Sequence, residues 1–406
     1  MTEPALSPES LLDRPVVRLT PKAAAQAIRH GFPWIYANEL VTDRRTRALP
    51  PGTVALLEDA ERRPMGVVGV NPNSKIIARM LDPDPGAEIG EAWFRARLAT
   101  ALALRERLFD APFYRLVHAE ADGLPGVVID RFGEAAVVQP NAAWAEARLD
   151  ALVAALVAVT GVTCVVKNAG GRARSLEGLD DVTRVLSGTL AGPVPVRMNA
   201  ATYMADLMGG QKTGLFYDQR PNHAFAASLA KGARVLDVFA HVGGFALAAL
   251  AAGAESALAV DSSAPALDLA TQGARAGGVA ARFATERGAA FDVMEALAGT
   301  SDRFGLVVCD PPAFAPSKNA LEAGLRAYER VARLAAALVE PGGFLVLCSC
   351  SHAADLARFR TACVRGIGRA GRRGQILWTG FAGPDHPQLP QLAESGYLKA
   401  LAFRLD

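Results

Sequence analysis

The chain has no Cys-x-x-Cys pair and no run of about 18 apolar residues free of charges or breakers, so neither a zinc site nor a membrane-spanning helix is expected. Its five cysteines, Cys164, Cys309, Cys348, Cys350 and Cys363, are odd in number and widely spread through 406 residues, which argues against a disulfide framework. An excess of either charge is also missing. Against 43 Lys and Arg stand 41 Asp and Glu, a net +2, so total charge gives no support to a nucleic-acid partner and only local patches could. The start of the chain, residues 1–15, has no apolar secretory core. Residues 1–13 read as a tail, and the cytoplasm is the expected compartment.

What is present is apolar residue in quantity, 51% of the chain, enough for more than one core. From Val16 to Leu81 short strands alternate with turns. Strands at 54–58 and 65–70 are punctuated by Pro50-Pro51-Gly52 and Asn71-Pro72-Asn73, which outlines a mostly β domain over 14–82. A helix over 92–109, strands at 126–130, 135–139 and 163–167, and a helix over 143–159 outline a small α+β domain over 90–195. From 200 to 406, apolar runs at 234–239, 256–260, 305–309 and 343–348 alternate with alanine-rich helical stretches at 245–252, 264–276 and 321–338. That alternation predicts an α/β domain with a parallel sheet covered by helices on both faces.

Four points in this last region carry chemistry. In Val235-Leu-Asp-Val-Phe-Ala-His-Val-Gly-Gly-Phe245 an apolar strand runs into a glycine-bearing loop and then a helix. Such loops lie at the carboxyl edge of a parallel sheet, where ligands bind. This one is neither a Gly-x-Gly-x-x-Gly turn nor a phosphate-binding P-loop. A second strand ends in Asp261, placed to accept both ribose hydroxyls of a nucleoside, or else to start a helix with Ser262 and Ser263. A third ends in Asp310-Pro311-Pro312, followed by Phe314. Two prolines cannot continue a central strand, so the chain leaves the sheet there with Asp310 at the edge and Phe314 available to stack on a base. The fourth, Phe344-Leu-Val-Leu-Cys-Ser-Cys-Ser351, brings Cys350 to the same edge, while Cys309 and Cys348 lie within strands as small core residues. Methylating carbon 5 of a pyrimidine needs a nucleophile at carbon 6, and a thiolate suits it. An ordinary cysteine is only about 3% thiolate at pH 7, and the sequence identifies no activating neighbour.

With these residues the chain resembles the PUA-containing 23S ribosomal RNA cytosine-5 methyltransferases (RlmI-like). Further matches are Val17-Arg-Leu-Thr-Pro-Lys22, His30-Gly-Phe-Pro-Trp-Ile-Tyr36, Ala119-Glu-Ala-Asp-Gly-Leu-Pro-Gly-Val-Val-Ile-Asp-Arg-Phe-Gly133 and Gly210-Gln-Lys-Thr-Gly-Leu-Phe-Tyr-Asp-Gln-Arg220. The resemblance implies an N-terminal, mostly β PUA domain, a small central α+β domain and a C-terminal Rossmann-like class I methyltransferase domain. It implies S-adenosylmethionine as methyl donor, ribosomal RNA as partner and a homodimer. It also implies Cys350 as nucleophile and Asp310 on the cytosine edge. Asp237, Phe239, Gly243, Gly244 and Phe245 would meet the methionine part of the cofactor and Asp261 its ribose, with Thr213, Phe216 and Gln219 closing over it. Two departures are Ala313, where the family commonly has a polar residue, and Ala289, where it usually has Asp or Asn to meet the adenine amine.

Arg44, Arg45, Arg47, Arg62, Arg63 and Arg79, and a second cluster at Arg365, Arg369, Arg372 and Arg373, are candidate phosphate contacts or plain solvated faces. Trp34 and Tyr36 read as core aromatics. Alternatives to carbon-5 methylation are methylation of a purine nitrogen in RNA, which needs no thiol, and a non-catalytic RNA-binding factor that keeps the fold. A nicotinamide oxidoreductase is disfavoured by the loop at 239–245.

Overall fold

A computed structural model describes residues 14–209 and 214–406. The tail reading of 1–13 and the placing of Thr213 lie outside the described residues. The chain forms two compact units. One holds the residues up to Ala191 together with Pro387–Leu392, and the other Gly192–His386 with Ala393–Asp406.

The first unit contains two five-stranded sheets. In one, Thr53–Glu58 and Pro64–Val70 form a central hairpin, flanked by Val16–Arg18 on one side and by Ala78–Asp82, then Trp34–Ile35, on the other. Val17, Ile35, Leu57 and Val68 fill its core. The other sheet runs Phe113–His118, Val127–Phe132, Ala135–Pro140, Cys164–Lys167 and Arg184–Ser187 in spatial order. It is antiparallel except where Ala135–Pro140 meets Cys164–Lys167 in parallel, because the helix Leu149–Thr160 carries the chain across. The two segments expected as separate domains fall in this one unit, and two features explain why. The buried Glu177 carboxylate accepts from Asn71 Nδ2 (2.9 Å), Ser74 Oγ (2.9 Å) and Arg79 Nη2 (3.1 Å). Gly69 also lets Trp144 approach so closely that a Cβ there would lie 2.7 Å from its side chain.

In the second unit a seven-stranded sheet is built from β1 (Arg234–Val238), β2 (Ser256–Asp261), β3 (Phe283–Arg287), β4 (Phe304–Cys309), β5 (Val339–Ser349), β6 (Gly374–Gly380) and β7 (Lys399–Leu405). Its order is β3-β2-β1-β4-β5-β7-β6. The first five are parallel, and β7 enters antiparallel between β5 and β6. Helices α1 (Arg220–Ser228), α2 (Gly244–Ala251), α3 (Ala264–Ala276), α4 (Ala290–Ala298), α5 (Leu321–Leu338) and α6 (Leu356–Arg369) cover both faces. Leu306, Val307, Val308 and Cys309 are all fully buried, as a strand covered on both faces requires. Ser263 caps α3 by accepting from Ala266 N (3.3 Å). A Gly-x-Gly-x-x-Gly spacing does occur, at Gly366, Gly368 and Gly371, but at the end of α6 rather than after a strand. There Gly366 serves helix packing, since a Cβ would lie 2.4 Å from Glu329 O on α5. Among the described residues no helix is long and apolar enough to cross a membrane.

Removing the Glu177 carboxylate leaves Arg79 and two buried polar side chains short of an acceptor. Glu177→Ala is expected to cost about 3–5 kcal/mol, the range for breaking a buried ion pair, seen as a lowered first unfolding transition in scanning calorimetry of the full chain.

Candidate active site

Strand order reverses between β1 and β4, and a crevice opens there beyond the carboxyl ends of the strands. It forms a cavity of about 620 Å³. Phe216 and Gln219 line it from the segment before α1, Phe239 to Val242, Gly244 and Phe245 from the β1 loop, and Asp261 with Ser262 and Ser263 from the end of β2. Ala289 to Phe291 line it at the start of α4, Asp310 to Ala313 after β4, and Cys350 after β5. Thus Phe216, Gln219, Phe239, Gly244, Phe245, Asp261, Asp310 and Cys350, scattered over 135 positions of sequence, share one cavity. Gly243 and Asp237 do not reach its wall. Gly243 takes a left-handed backbone (φ 79°) at the N-cap of α2, and Asp237 lies fully buried beneath the loop.

The β1 loop is held from below. Asp237 Oδ2 accepts from Ala246 N (2.9 Å), so the carboxylate sits at the positive end of α2. Burial nonetheless pushes its pKa up to about 7, with Asp310 and Asp261 adding to the rise and the backbone amides of Ala246 and Phe245 opposing it. Its Oδ1 is buried without a hydrogen-bond partner. Phe239 (φ 64°) and His241 (φ 49°) are left-handed without being glycine, a strain of about 1–3 kcal/mol each. Asp261 accounts for part of the restraint on His241, because its Oδ2 accepts from His241 N (2.9 Å) and its Oδ1 from Ser263 N (2.9 Å). The N-cap of α3 is Ser263 rather than Asp261, whose carboxylate braces that cap residue and faces the cavity.

Asp218, His223, His241 and Leu398 line the cavity and were not singled out from sequence. His223 is 3% exposed and packs edge-on against Phe245 at 4.4 Å. Burial, assisted by Arg220 and opposed by Asp218, pushes its pKa down to about 3, so the ring is neutral, and its Nδ1 has no partner. Asp218 belongs to the recognised Tyr-Asp-Gln-Arg stretch, but His223 and Leu398 carry no sequence signal that separates them from core residues.

Cys350 is half-buried, and both its neighbours are anchored. Ser349 Oγ donates to Tyr328 Oη (2.8 Å), the same Oη is 2.7 Å from Ser351 Oγ, and Ser351 Oγ accepts from Ala315 N (2.9 Å). These bonds tie the cysteine turn to the loop that follows Asp310. Asp310 N in turn donates to Val238 O (3.2 Å), joining that loop to β1. Phe314, expected to be available for stacking, instead packs on Tyr328 (5.1 Å) and near Phe291 and Phe239, behind the cavity wall. Of the basic candidates, Arg79 is engaged by Glu120 and Glu177, Arg63 by Asp59 and Glu61, and Arg369 by Glu329. Arg372 donates to the carbonyls of Ala336, Val339 and Glu340. Arg44, Arg45, Arg47, Arg365 and Arg373 are exposed. Trp34 Nε1 donates to Glu120 Oε1 (2.8 Å), whereas Tyr36 is surface-exposed rather than core.

Residues 143–404 match the S-adenosylmethionine-dependent methyltransferase family, and residues 17–83 match the PUA-like domain. The chain belongs to the S-adenosylmethionine-dependent methyltransferases. The chain is similar to a ribosomal RNA large subunit methyltransferase of Deinococcus radiodurans, 34% identical over 95% of this chain and 96% of the relative. It is likewise similar to ribosomal RNA large subunit methyltransferase I of Alteromonas mediterranea, 35% identical over 93% of this chain and 95% of that one. A solved S-adenosylmethionine-dependent methyltransferase of Streptococcus mutans shares the fold with a TM-score of 0.79 at 18% identity, over 96% of this chain and 100% of that chain. A second solved methyltransferase with the same figures is a complex with S-adenosylhomocysteine. S-adenosylmethionine is the cofactor of this methyltransferase.

A carboxyl whose pKa rises on folding stabilises the fold most below its unfolded value of 3.8, and that contribution is lost as pH rises through about 7. Asp237→Asn keeps an oxygen acceptor for Ala246 N and removes the buried charge. It is expected to raise the melting temperature at pH 8, with a smaller gain at pH 5, in thermal melts of wild type and variant.

Proposed function

We propose that this methyltransferase transfers a methyl group to carbon 5 of a cytosine in large-subunit (23S) ribosomal RNA, through a covalent adduct with Cys350. The observation that carries the reading is the convergence of Cys350 and Asp310 with the β1 loop and Asp261 in one cavity. The names of the two relatives support ribosomal RNA as the substrate, which the cytoplasm would supply.

The residues present fit S-adenosylmethionine. Asp237 Oδ1 is a buried acceptor without a donor, close under the loop expected to meet the methionine part. Each Asp261 oxygen already accepts one amide and keeps a further lone pair for a ribose hydroxyl. At Ala289, where a side-chain contact to adenine is missing, the first amides of α4 point out of the helix start and lie at the cavity wall, available to a ring nitrogen. Phe216, stacked edge-on to His241 at 4.9 Å, and Gln219 would close the cofactor from above. Thr213 would join them. Bound there, the cofactor supplies an electrophilic methyl group on a sulfonium.

The rest is done by the chain's own groups. The Cys350 thiolate forms a bond to carbon 6 of the cytosine, and the electron pair released makes carbon 5 nucleophilic. Asp310 accepts from the exocyclic amine or shares a proton with ring nitrogen 3, holding the base edge while charge develops. Carbon 5 takes the methyl group, its proton then passes to solvent, and the electron pair of that C–H bond restores the C5–C6 double bond and expels the Cys350 thiolate. The base must leave its stack to reach Cys350, which favours an unpaired or locally opened site. Arg44, Arg45 and Arg47, all exposed on one short helix of the PUA-like domain, would meet phosphates.

The test is transfer of labelled methyl to protein-free large-subunit ribosomal RNA, with the product base mapped. Cys350→Ala is expected to abolish 5-methylcytosine while S-adenosylhomocysteine still binds. Full activity in that variant, or a methylated purine, would replace this reading by nitrogen methylation. Failure of the wild type to bind S-adenosylhomocysteine would favour a non-catalytic RNA-binding factor. Asp261→Ala is expected to weaken S-adenosylhomocysteine binding by roughly 10- to 100-fold, the scale of hydrogen bonds to a charged acceptor, as measured by calorimetry.

A further inference from the structure

An ammonium group is buried beside the cysteine turn without an anionic partner of the usual kind. Lys399 opens β7 and is 5% exposed. Its Nζ donates to Ser351 O (2.7 Å) and to Ala354 O (2.8 Å), the first of these on the residue that follows Cys350. Among the described residues no carboxylate forms an ion pair with it. A buried cation without a counter-charge costs several kcal/mol, so such groups are almost always paired. Two carbonyls take two of its protons, and the nearest opposing charge is the more distant Asp355 carboxylate.

We propose that Lys399 is the positioning residue of Cys350: it holds the cysteine turn by its carbonyls and supplies the fixed positive charge that favours the thiolate. This assignment concerns the same thiol as the proposed methylation, and it rests on that reading only for its use in catalysis. Register supports the placement. β7 pairs antiparallel with β5, and Lys399 lies opposite Ser349, so the lysine is fixed to the strand end that carries the nucleophile. The Tyr328 hydroxyl clamps the same turn from α5 through Ser349 and Ser351, but it brings no charge.

The groups that face the thiol from the surrounding elements can be named. Lys399 is the cation, on β7. Tyr328 comes from α5 and is neutral near pH 7, since burial raises its pKa. Asp310 and Asp218 line the same cavity and oppose ionisation. His352 and Asp355 lie on the connection from Cys350 to α6. Burial lowers the pKa of Lys399, and Cys350 and then Asp355 counter that fall. A cation close to a thiol lowers the pH at which the proton leaves to solvent, as in other reactive cysteines.

The experiment is the pH dependence of Cys350 alkylation by iodoacetamide in the full chain, followed by mass spectrometry of the Cys350 peptide. The wild-type midpoint is expected below the ordinary value of about 8.5. A wild-type midpoint at or above that value overturns the proposal whether or not any variant folds. Lys399→Gln keeps amide donors for the two carbonyls and removes the charge. It is expected to raise the midpoint by about one unit, a roughly tenfold slower alkylation at pH 7, while Lys399→Arg keeps the midpoint near wild type. A folded Lys399→Gln protein with the wild-type midpoint would reduce the lysine to a structural clamp. Because alkylation needs neither RNA nor methyl donor, a shifted midpoint stands even if Cys350→Ala proves active and the carbon-5 reading falls.

Discussion

The reversal of strand order between β1 and β4 is the constraint on which the site depends. On one side of that line the connections pass over one face of the sheet, and on the other side over the opposite face. The loop after β1, Asp261 after β2, Asp310 after β4 and Cys350 after β5 all line this crevice from strand ends. The bond from Asp310 N to Val238 O (3.2 Å) ties the two central strand ends together at the crevice.

Packing of charge beneath that crevice is as consequential as the groups that face it. Asp237 sits fully buried at the start of α2, with one oxygen on a helix amide and the other unpartnered. Burial raises its pKa, and the backbone amides of Ala246 and Phe245 offset only part of that rise. His223, also buried, is driven neutral by the same effect in the opposite direction. Lys399 completes the pattern, a buried cation whose protons go to carbonyls rather than to a carboxylate. Burial thus moves all three from their ordinary values, Asp237 upward and His223 and Lys399 downward.

The division of labour along the chain follows from chemistry rather than from size. The first unit is knit by buried ion pairs centred on Glu177, Glu120 and the Arg105–Asp122 pair, where both guanidinium nitrogens meet the carboxylate at 2.6 and 2.7 Å. These arrangements use up arginines that look like RNA contacts in sequence. Those on the short helix at residues 44–47, and Arg62, keep an open face in the PUA-like domain.

Much of this was legible from sequence. The alternation of short apolar runs with alanine-rich stretches located β1, β2, β4, β5 and three of the flanking helices within a residue or a few of their ends. The reason is that strands buried on both faces must be continuously apolar. Asp261, Asp310 and Cys350 were legible because a polar residue that ends such a strand must emerge at the sheet edge. Strands β6 and β7 were not, since half-exposed or late antiparallel strands lack that signature and depend on a partner for their register. What only the tertiary structure decided is which side chains lack partners. Phe314 turned inward to an aromatic cluster, Arg79 and Arg372 were consumed by acceptors far away in sequence, and His223 and Lys399 came to lie buried beside the cavity. Partnering of that kind is a long-range property. It is set by contacts between residues up to about a hundred positions apart, which no local pattern of residue types contains.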